Sequence, residues 1–221
     1  MAIIQRNYFS DVYLWSARNQ ARIAADIEKE YSSPSKESLR TAELELQHQA
    51  YVITAVTNSV AFMECVVNEV LQDVTDDYKD HIGSLSKATK LRLTGYWVAG
   101  GRASILDKYG QALWLVRRKV MDRGVDPVQS AALVVALRNY FVHYKPENVG
   151  TRLDPPKLAK KLRGRFADNE LMTGDRRPWF PDHAIGAGCA IWAHETAFAF
   201  VDHWASLMRL TSLPYQTAEL N

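Results

Sequence analysis

The stretch LRTAELELQHQAYVITAVTNSVAFMECVVNEVLQDV, residues 39–74, decides the fold. Along it, eleven positions separated by alternating steps of three and four residues run from Leu39 to Val74. Ten of them are apolar, and Gln49 is the exception. This spacing predicts an amphipathic helix of a bundle, on the order of 54 Å long if unbroken. The β-branched residues near 52–70 favour a strand only locally, because the helical spacing continues far beyond strand length.

The rest of the chain has helical patterning as well, with no convincing strand pair and no internal repeat. We expect a capped helix that begins after Asp126, with Pro127 in its first turn and Gln129 as capping-box partner, and that stops before Pro146. Further helices are expected at Asp11 to Glu30, Leu85 to Val98, Ala103 to Arg123 and Ala184 to Leu210. We expect Gly100-Gly101 to end the helix over Leu85 to Val98, and Gly124 to end the helix over Ala103 to Arg123.

These elements predict an all-α fold, a helical bundle with one long helical pair, in a single domain over residues 1–221. Residues 150–182 are rich in proline, glycine and charge, and we expect an elaborated, partly helical excursion there. The composition, 47% hydrophobic and 24% charged in 221 residues, is that of a globular protein. We find no signal peptide and no uninterrupted apolar span, which predicts a soluble cytoplasmic protein without membrane contact.

The two cysteines, Cys65 and Cys189, lie far apart in apolar surroundings and predict buried, reduced thiols. Two cysteines also exclude a zinc finger, and we predict neither a metal nor a cofactor. His194-Glu195 does not begin a metal-binding helix, because His203 is nine residues further on and faces the other side. His48, His81 and His183 stand alone in the sequence.

Charge is unevenly distributed along the chain. Residues 26–80 contain 12 acidic and 4 basic residues, and residues 152–177 contain 8 basic and 4 acidic residues. The basic run KLAKKLRGR is a candidate for contacts to an RNA backbone, through Lys157, Lys160, Lys161, Arg163 and Arg165. The alternative is that both stretches form solvated faces of opposite sign.

One polar constellation ends the helix that follows Asp126. The preceding residues, 131–137, are apolar on every side and predict a buried helix. A buried Arg138 guanidinium would need an anion, either a carboxylate such as Glu64 or Glu69 or the phosphate of a ligand. Asn139 and His143 are four residues apart and share a face, so the amide could fix the tautomer of the imidazole.

The hexapeptide RNYFVH, residues 138–143, resembles the Arg-x4-His motif of the HEPN superfamily, with the favoured Asn after the Arg. The stretch AVTNSVAFMECVVNEVLQDV resembles the long second helix of that family. The resemblance implies an all-α fold, a homodimer in which two motifs share one cleft, and a metal-independent endoribonuclease. Some family toxins carry a tyrosine two residues after the histidine; here position 145 is Lys and the tyrosine is Tyr144, so that modification is not carried over.

On this resemblance, His143 serves the 2′-OH or the leaving 5′-oxygen as base or acid, and the product is a 2′,3′-cyclic phosphate. Arg138 binds the phosphate and Asn139 orients His143. Glu64, Asn68 and Tyr144 are candidates to line the cleft. DNA lacks the 2′-OH and is at most a ligand. The expected role is a toxin or a defence or stress effector, with a protein antitoxin as partner. The alternative is a non-catalytic bundle that binds a nucleotide or a protein.

Overall fold

The computed structural model describes residues 5–79, 81–83, 85–100, 103–146, 148, 150, 153–172 and 177–215. The described part is all-helical and contains no strand, which confirms the expected fold class. A 3₁₀ turn at Pro34–Leu39 and a π-helical turn at Trp179–His183 join helices. The helices are α1 Ser10–Tyr31, α2 Ala42–Thr75, α3 Lys87–Gly100, α4 Ile105–Arg117, α5 Val128–Val142, α6 Lys157–Leu162 and α7 Ala187–Met208.

Helix α2 is the central element and packs against α1, α3, α4, α5 and α7. The seam positions from Val56 to Val74 are buried, as the pattern predicts, but Leu39 and Leu46 are exposed. Near the start of α2 the buried face is instead formed by His48 and Val52. An α-helix has 3.6 residues per turn, so a seam spaced at 3.5 drifts by about 20° per heptad and leaves the core over several heptads.

Among the described helices, α2 alone is long and apolar enough to cross a membrane by length and composition. Half of its most apolar window is buried inside the protein, against other helices. One such helix is weak evidence for a membrane span, because the core helix of a soluble protein passes the same test.

Two glutamates fix the helices that flank α2. Glu69 of α2 accepts hydrogen bonds from the backbone N–H groups of Phe9 and Ser10, at 2.8 and 3.1 Å, and so caps the start of α1. Glu28 of α1 accepts from the backbone N–H of Ala187 at 2.6 Å and caps the start of α7. Each carboxylate satisfies amide groups that a helix start leaves without partners, and each locks two helices together.

Helix α4 is shorter than expected, so the expected helix over Ala103 to Arg123 is wrong at its C-terminal end. Arg118 has φ +56° and its N–H bonds the Trp114 carbonyl, which closes the helix with a left-handed residue in place of Gly124. Val120 therefore lies beyond the helix and is 81% exposed. Gly124 instead donates its N–H to the side chain of Asp122.

Helix α5 begins at Val128 with Pro127 as its N-cap, so the expectation of Asp126 as N-cap and Pro127 in the first turn is wrong by one residue. The Oδ1 of Asp126 nevertheless accepts from the backbone N–H of Ser130 at 3.1 Å. Gln129 does not complete a capping box, because its side-chain oxygen accepts from Arg165 at 3.0 Å. Between α5 and α7 the described residues form α6 and the π-helical turn, which confirms a partly helical excursion. The expected stop of α3 is the pair Gly100-Gly101. The helix ends at Gly100, and Gly101 lies outside the described residues.

The centre of the core is an aromatic junction of three helices. Tyr109 of α4 contacts Phe200 and Trp204 of α7 edge-on, at ring-centroid distances of 4.7 and 4.8 Å. Its hydroxyl donates to the Met63 carbonyl of α2 at 2.6 Å, so this buried polar group is satisfied. Both cysteines are free, as expected, and Cys189 is buried whereas Cys65 is only half-buried.

Candidate nucleic-acid interface

Arg138, Asn139 and His143 lie at the C-terminal end of α5. Arg138 is half-buried, and Asn139 and His143 are exposed, so the end of this helix is not enclosed by the core as the apolar stretch predicted. Within the described part of the chain, none of the three side chains makes a hydrogen bond or an ion pair. A half-buried guanidinium and an exposed imidazole are therefore without a side-chain partner in the described ranges.

The expected side-chain bond between Asn139 and His143 is not formed. The bond that joins them runs through the backbone, from the His143 N–H to the Asn139 carbonyl at 2.9 Å. His143 follows the last helical residue and has φ −110° and ψ 28°. Because His143 has left the helical path, spacing by four residues no longer stacks its side chain on that of Asn139.

The carboxylates proposed as partners of Arg138 have other partners. Glu69 caps α1, and Glu64 accepts from the Nζ of Lys108 on α4 at 3.2 Å. Lys108 is only 3% exposed and also donates to Asn68 at 3.0 Å. Asn68 does line a cleft, of about 370 Å³, but Arg138 and His143 are not among the residues that line it. The lining of this cleft within one chain therefore includes Asn68 but neither Glu64 nor a motif residue, and a cleft that these residues share with the motif in a dimer stays a prediction.

Aromatic rings surround the motif. The Tyr140 ring contacts those of Phe141, Tyr144 and Phe180 at centroid distances of 5.9, 5.5 and 5.0 Å. Phe180 is buried and belongs to the turn before α7, whereas Tyr144 is 52% exposed. Tyr144 thus lies beside the motif as expected, and it presents a ring to solvent one residue after His143.

The ring contacts continue towards the basic run. Trp179 neighbours Phe180 at 6.5 Å and stacks on Phe166 at 6.3 Å. The Arg163 guanidinium lies 4.7 Å from the centroid of the Trp179 ring, a cation–π contact. The indole N–H of Trp179 donates to Asp168 at 2.7 Å. The sequence showed no aromatic residues within the basic run, and the fold supplies Trp179 from 16 residues further along the chain.

Four of the five predicted backbone contacts are open to solvent, namely Lys157, Lys160, Lys161 and Arg163. The fifth, Arg165, is not a free cation. It donates to Ser130 at 2.9 Å and to Gln129 at 3.0 Å, and it pairs with Asp126 at 3.7 Å. Arg165 fastens the segment after α6 to the start of α5, so we remove it from the candidate RNA contacts.

Two histidines that stood alone in the sequence have carboxylate partners. His48 Nε2 lies 2.9 Å from Glu28, and His81 Nε2 lies 2.6 Å from Asp73. All four residues are buried. Asp73 also accepts from the Tyr8 hydroxyl at 2.7 Å, and burial raises the pKa of Tyr8 to about 12. The first pair joins α1 to α2 across 20 residues, whereas His81 lies only eight residues after its partner Asp73 at the end of α2. Neither spacing follows a helical pattern that the sequence would reveal.

No other chemically reactive cluster emerges in the described part of the chain. Burial, reinforced by the charges of Glu69 and Glu64, raises the pKa of Cys65 to about 11, so this thiol is protonated at neutral pH. No group of three or more His, Cys, Asp or Glu side chains within the described ranges is arranged to hold a metal ion. No family model, curated protein or solved structure matches the chain.

Proposed function

We propose that this protein is a metal-independent endoribonuclease of HEPN type, a homodimer whose two RNYFVH motifs form one cleft. One observation carries the proposal. Half-buried Arg138 and exposed His143 have no hydrogen-bond or ion-pair partner among the described residues, and they lie beside exposed Tyr144. A cation and an acid–base group without internal partners are free to serve a ligand, whereas residues that only stabilise a helix end are normally engaged by it.

The reaction follows from these groups. His143 takes the proton of a ribose 2′-OH, and the 2′-oxygen attacks the adjacent phosphorus. The bond from phosphorus to the 5′-oxygen breaks, and that oxygen receives a proton from His143 of the second subunit. The products are a 2′,3′-cyclic phosphate and a free 5′-OH. Arg138 binds the non-bridging oxygens, whose negative charge grows in the transition state.

The surface next to the motif supports single-stranded RNA as substrate. Tyr144 and the Arg163–Trp179 pair offer flat groups on which unpaired bases stack, and Lys157, Lys160 and Lys161 offer charges for the phosphates. Base–aromatic stacking contributes about 1–3 kcal/mol per base. A cytoplasmic enzyme of this kind acts on cellular RNA, which agrees with the role of a toxin or defence effector restrained by a protein antitoxin.

The test is cleavage of a single-stranded RNA in EDTA by the wild type and by His143→Ala. We expect cyclic-phosphate ends from the wild type and a rate lower by about 10²–10⁴ for the variant. His203→Ala, an exposed histidine on α7, is the matched control and should cleave at the wild-type rate. Equal cleavage by His143→Ala and the wild type would refute the assignment of His143.

A second function is favoured by one specific observation. His143 has no orienting partner among the described residues, and general acid–base catalysis usually needs one. A bundle that binds RNA or a nucleotide without cleaving it needs only Arg138 and the aromatic surface. RNA binding that is weakened by Arg138→Ala, together with no cleavage by the wild type on varied RNAs, would establish this alternative.

A further inference from the structure

A cleft of about 490 Å³ lies between α1 and α7, outside the motif and the basic run. On α1 its lining residues recur at helical spacing, at positions 15, 18, 19 and 22. On α7 they are positions 191, 194 and 195. Two helical faces therefore oppose each other across it. Ala21 and Ala25 also line the cleft, and their small side chains leave the space open.

The apolar part of the cleft is uncovered. Trp15 is 52% exposed and Ile191 is 38% exposed. Both line the cleft, although they belong to α1 and α7, two helices that pack together. A tryptophan contributes one of the largest apolar surfaces of any side chain, and leaving half of it in water forgoes much of its burial energy. An aromatic ring of a ligand that stacks on the Trp15 indole would recover that burial energy.

The polar part of the cleft carries donors for an anion. Arg18 makes no hydrogen bond or ion pair with another described residue. Arg22 is held in place by Asp26 at 3.2 Å and by Asn19 at 3.0 Å. His194 makes no hydrogen bond within the described residues. Burial, and after it the charge of Arg18, lowers its pKa below the ordinary value, so at neutral pH it is a neutral imidazole with one N–H donor.

The acidic groups limit the negative charge of the ligand that this cleft can bind. Glu195 lines the cleft, and Asp26 lies beside Arg22. These carboxylates repel a polyanion such as RNA, and neither of them forms an ion pair with Arg18. We infer that this cleft binds a small aromatic molecule with one anionic group, a phosphate monoester or a carboxylate, its ring on Trp15 and its anion on Arg18 and His194. This site is independent of the proposed nuclease activity.

The test follows the indole N–H signal of Trp15 by NMR during titration with 1-naphthyl phosphate, 1-naphthoate and neutral 1-naphthalenemethanol. Trp15→Phe assigns the signal among the six tryptophans. We expect saturable shifts with an anionic ligand and binding at least about tenfold weaker for Arg18→Gln, because a hydrogen bond to a charged group contributes about 1.5–3 kcal/mol. The anion that binds more tightly shows whether the cleft prefers a phosphate monoester or a carboxylate.

Arg92→Gln is the matched control, since Arg92 is an exposed arginine on α3 whose recorded hydrogen bond is to Thr89. It should bind the anions as the wild type does. Both substitutions replace exposed side chains, so the variants are expected to fold. The inference is overturned if no titration shifts the Trp15 signal, or if the neutral alcohol binds as well as the anions and Arg18→Gln changes nothing.

Discussion

At the scale of single residues, Gly186 shows how tightly the start of α7 is packed. A Cβ at this position would lie 2.6 Å from the Cα of Asn169 and 2.8 Å from Oε1 of Glu28. Asn169 is itself held in place by two hydrogen bonds. Its backbone N–H donates to the His183 carbonyl, and its side-chain amide donates to the Ile185 carbonyl. Neither neighbour can yield easily, so only glycine fits where Glu28 caps the helix.

We therefore expect Gly186→Ala to lower the free energy of unfolding by about 1–3 kcal/mol, the usual cost of overpacking. The measurement is guanidinium unfolding followed by circular dichroism. Gly95→Ala is the control, because a Cβ there meets nothing within 4 Å and the residue lies inside α3. That variant should be more stable by about 0.5–1 kcal/mol. If both variants shifted stability alike, the close contact at Gly186 would be wrong.

At the scale of elements, the helix ends differ most from the sequence pattern. Helices α4 and α7 both stop at an arginine in the left-handed conformation, Arg118 with φ +56° and Arg209 with φ +55°. Glycine is the usual residue at such a stop, and arginine there is strained. A search for glycine therefore places the end of α4 too late, at Gly124. Helix ends are decided by which carbonyls find partners, and such partners need not follow a residue-type rule.

Arg209→Gly should stabilise the protein by about 1 kcal/mol, because glycine adopts the left-handed conformation without strain. Arg209 is exposed, so the substitution removes little packing. Thermal and denaturant unfolding would measure the gain. Arg92→Gly, in the interior of α3, is the opposite control and should lose about 1 kcal/mol. A loss in both variants would mean that Arg209 contributes contacts that outweigh its strain.

At the scale of the whole molecule, several of the twelve acidic side chains in residues 26–80 bind partners on other segments of the chain. Glu28, Glu64, Glu69 and Asp73, all from the acidic stretch, bind internal partners. The cations of the Lys157–Arg163 run remain exposed. The fold uses these four carboxylates to join segments of the chain. Acidic side chains nevertheless face solvent as the basic ones do, at Asp26, Glu30, Glu37, Glu43, Asp76 and Asp77.

The proposed homodimer makes a prediction at this scale. If the reaction uses His143 of both subunits in one cleft, a mixed dimer of wild-type and His143→Ala subunits lacks one of its two proton-transfer groups. Purified mixed dimers should then cleave RNA more slowly than the wild type by about 10²–10⁴, and not at half its rate. Mixed dimers of wild-type and His203→Ala subunits are the control and should keep the wild-type rate. Native mass spectrometry would verify the mixed dimers, and mixed dimers with half the wild-type activity would contradict a shared cleft.

The sequence alone determined the helical class and the course of the long central helix, whereas the role of the RNYFVH residues stays a prediction. Apolar periodicity is a local property, and it reports which side of a helix must be covered. It does not report which neighbour covers that side. Only the tertiary structure decided that Lys108 meets Glu64, that Trp179 meets Arg163, and that Asn139 and His143 separate at the end of α5. These contacts depend on how loops return distant helices to one another, and no local pattern encodes that path.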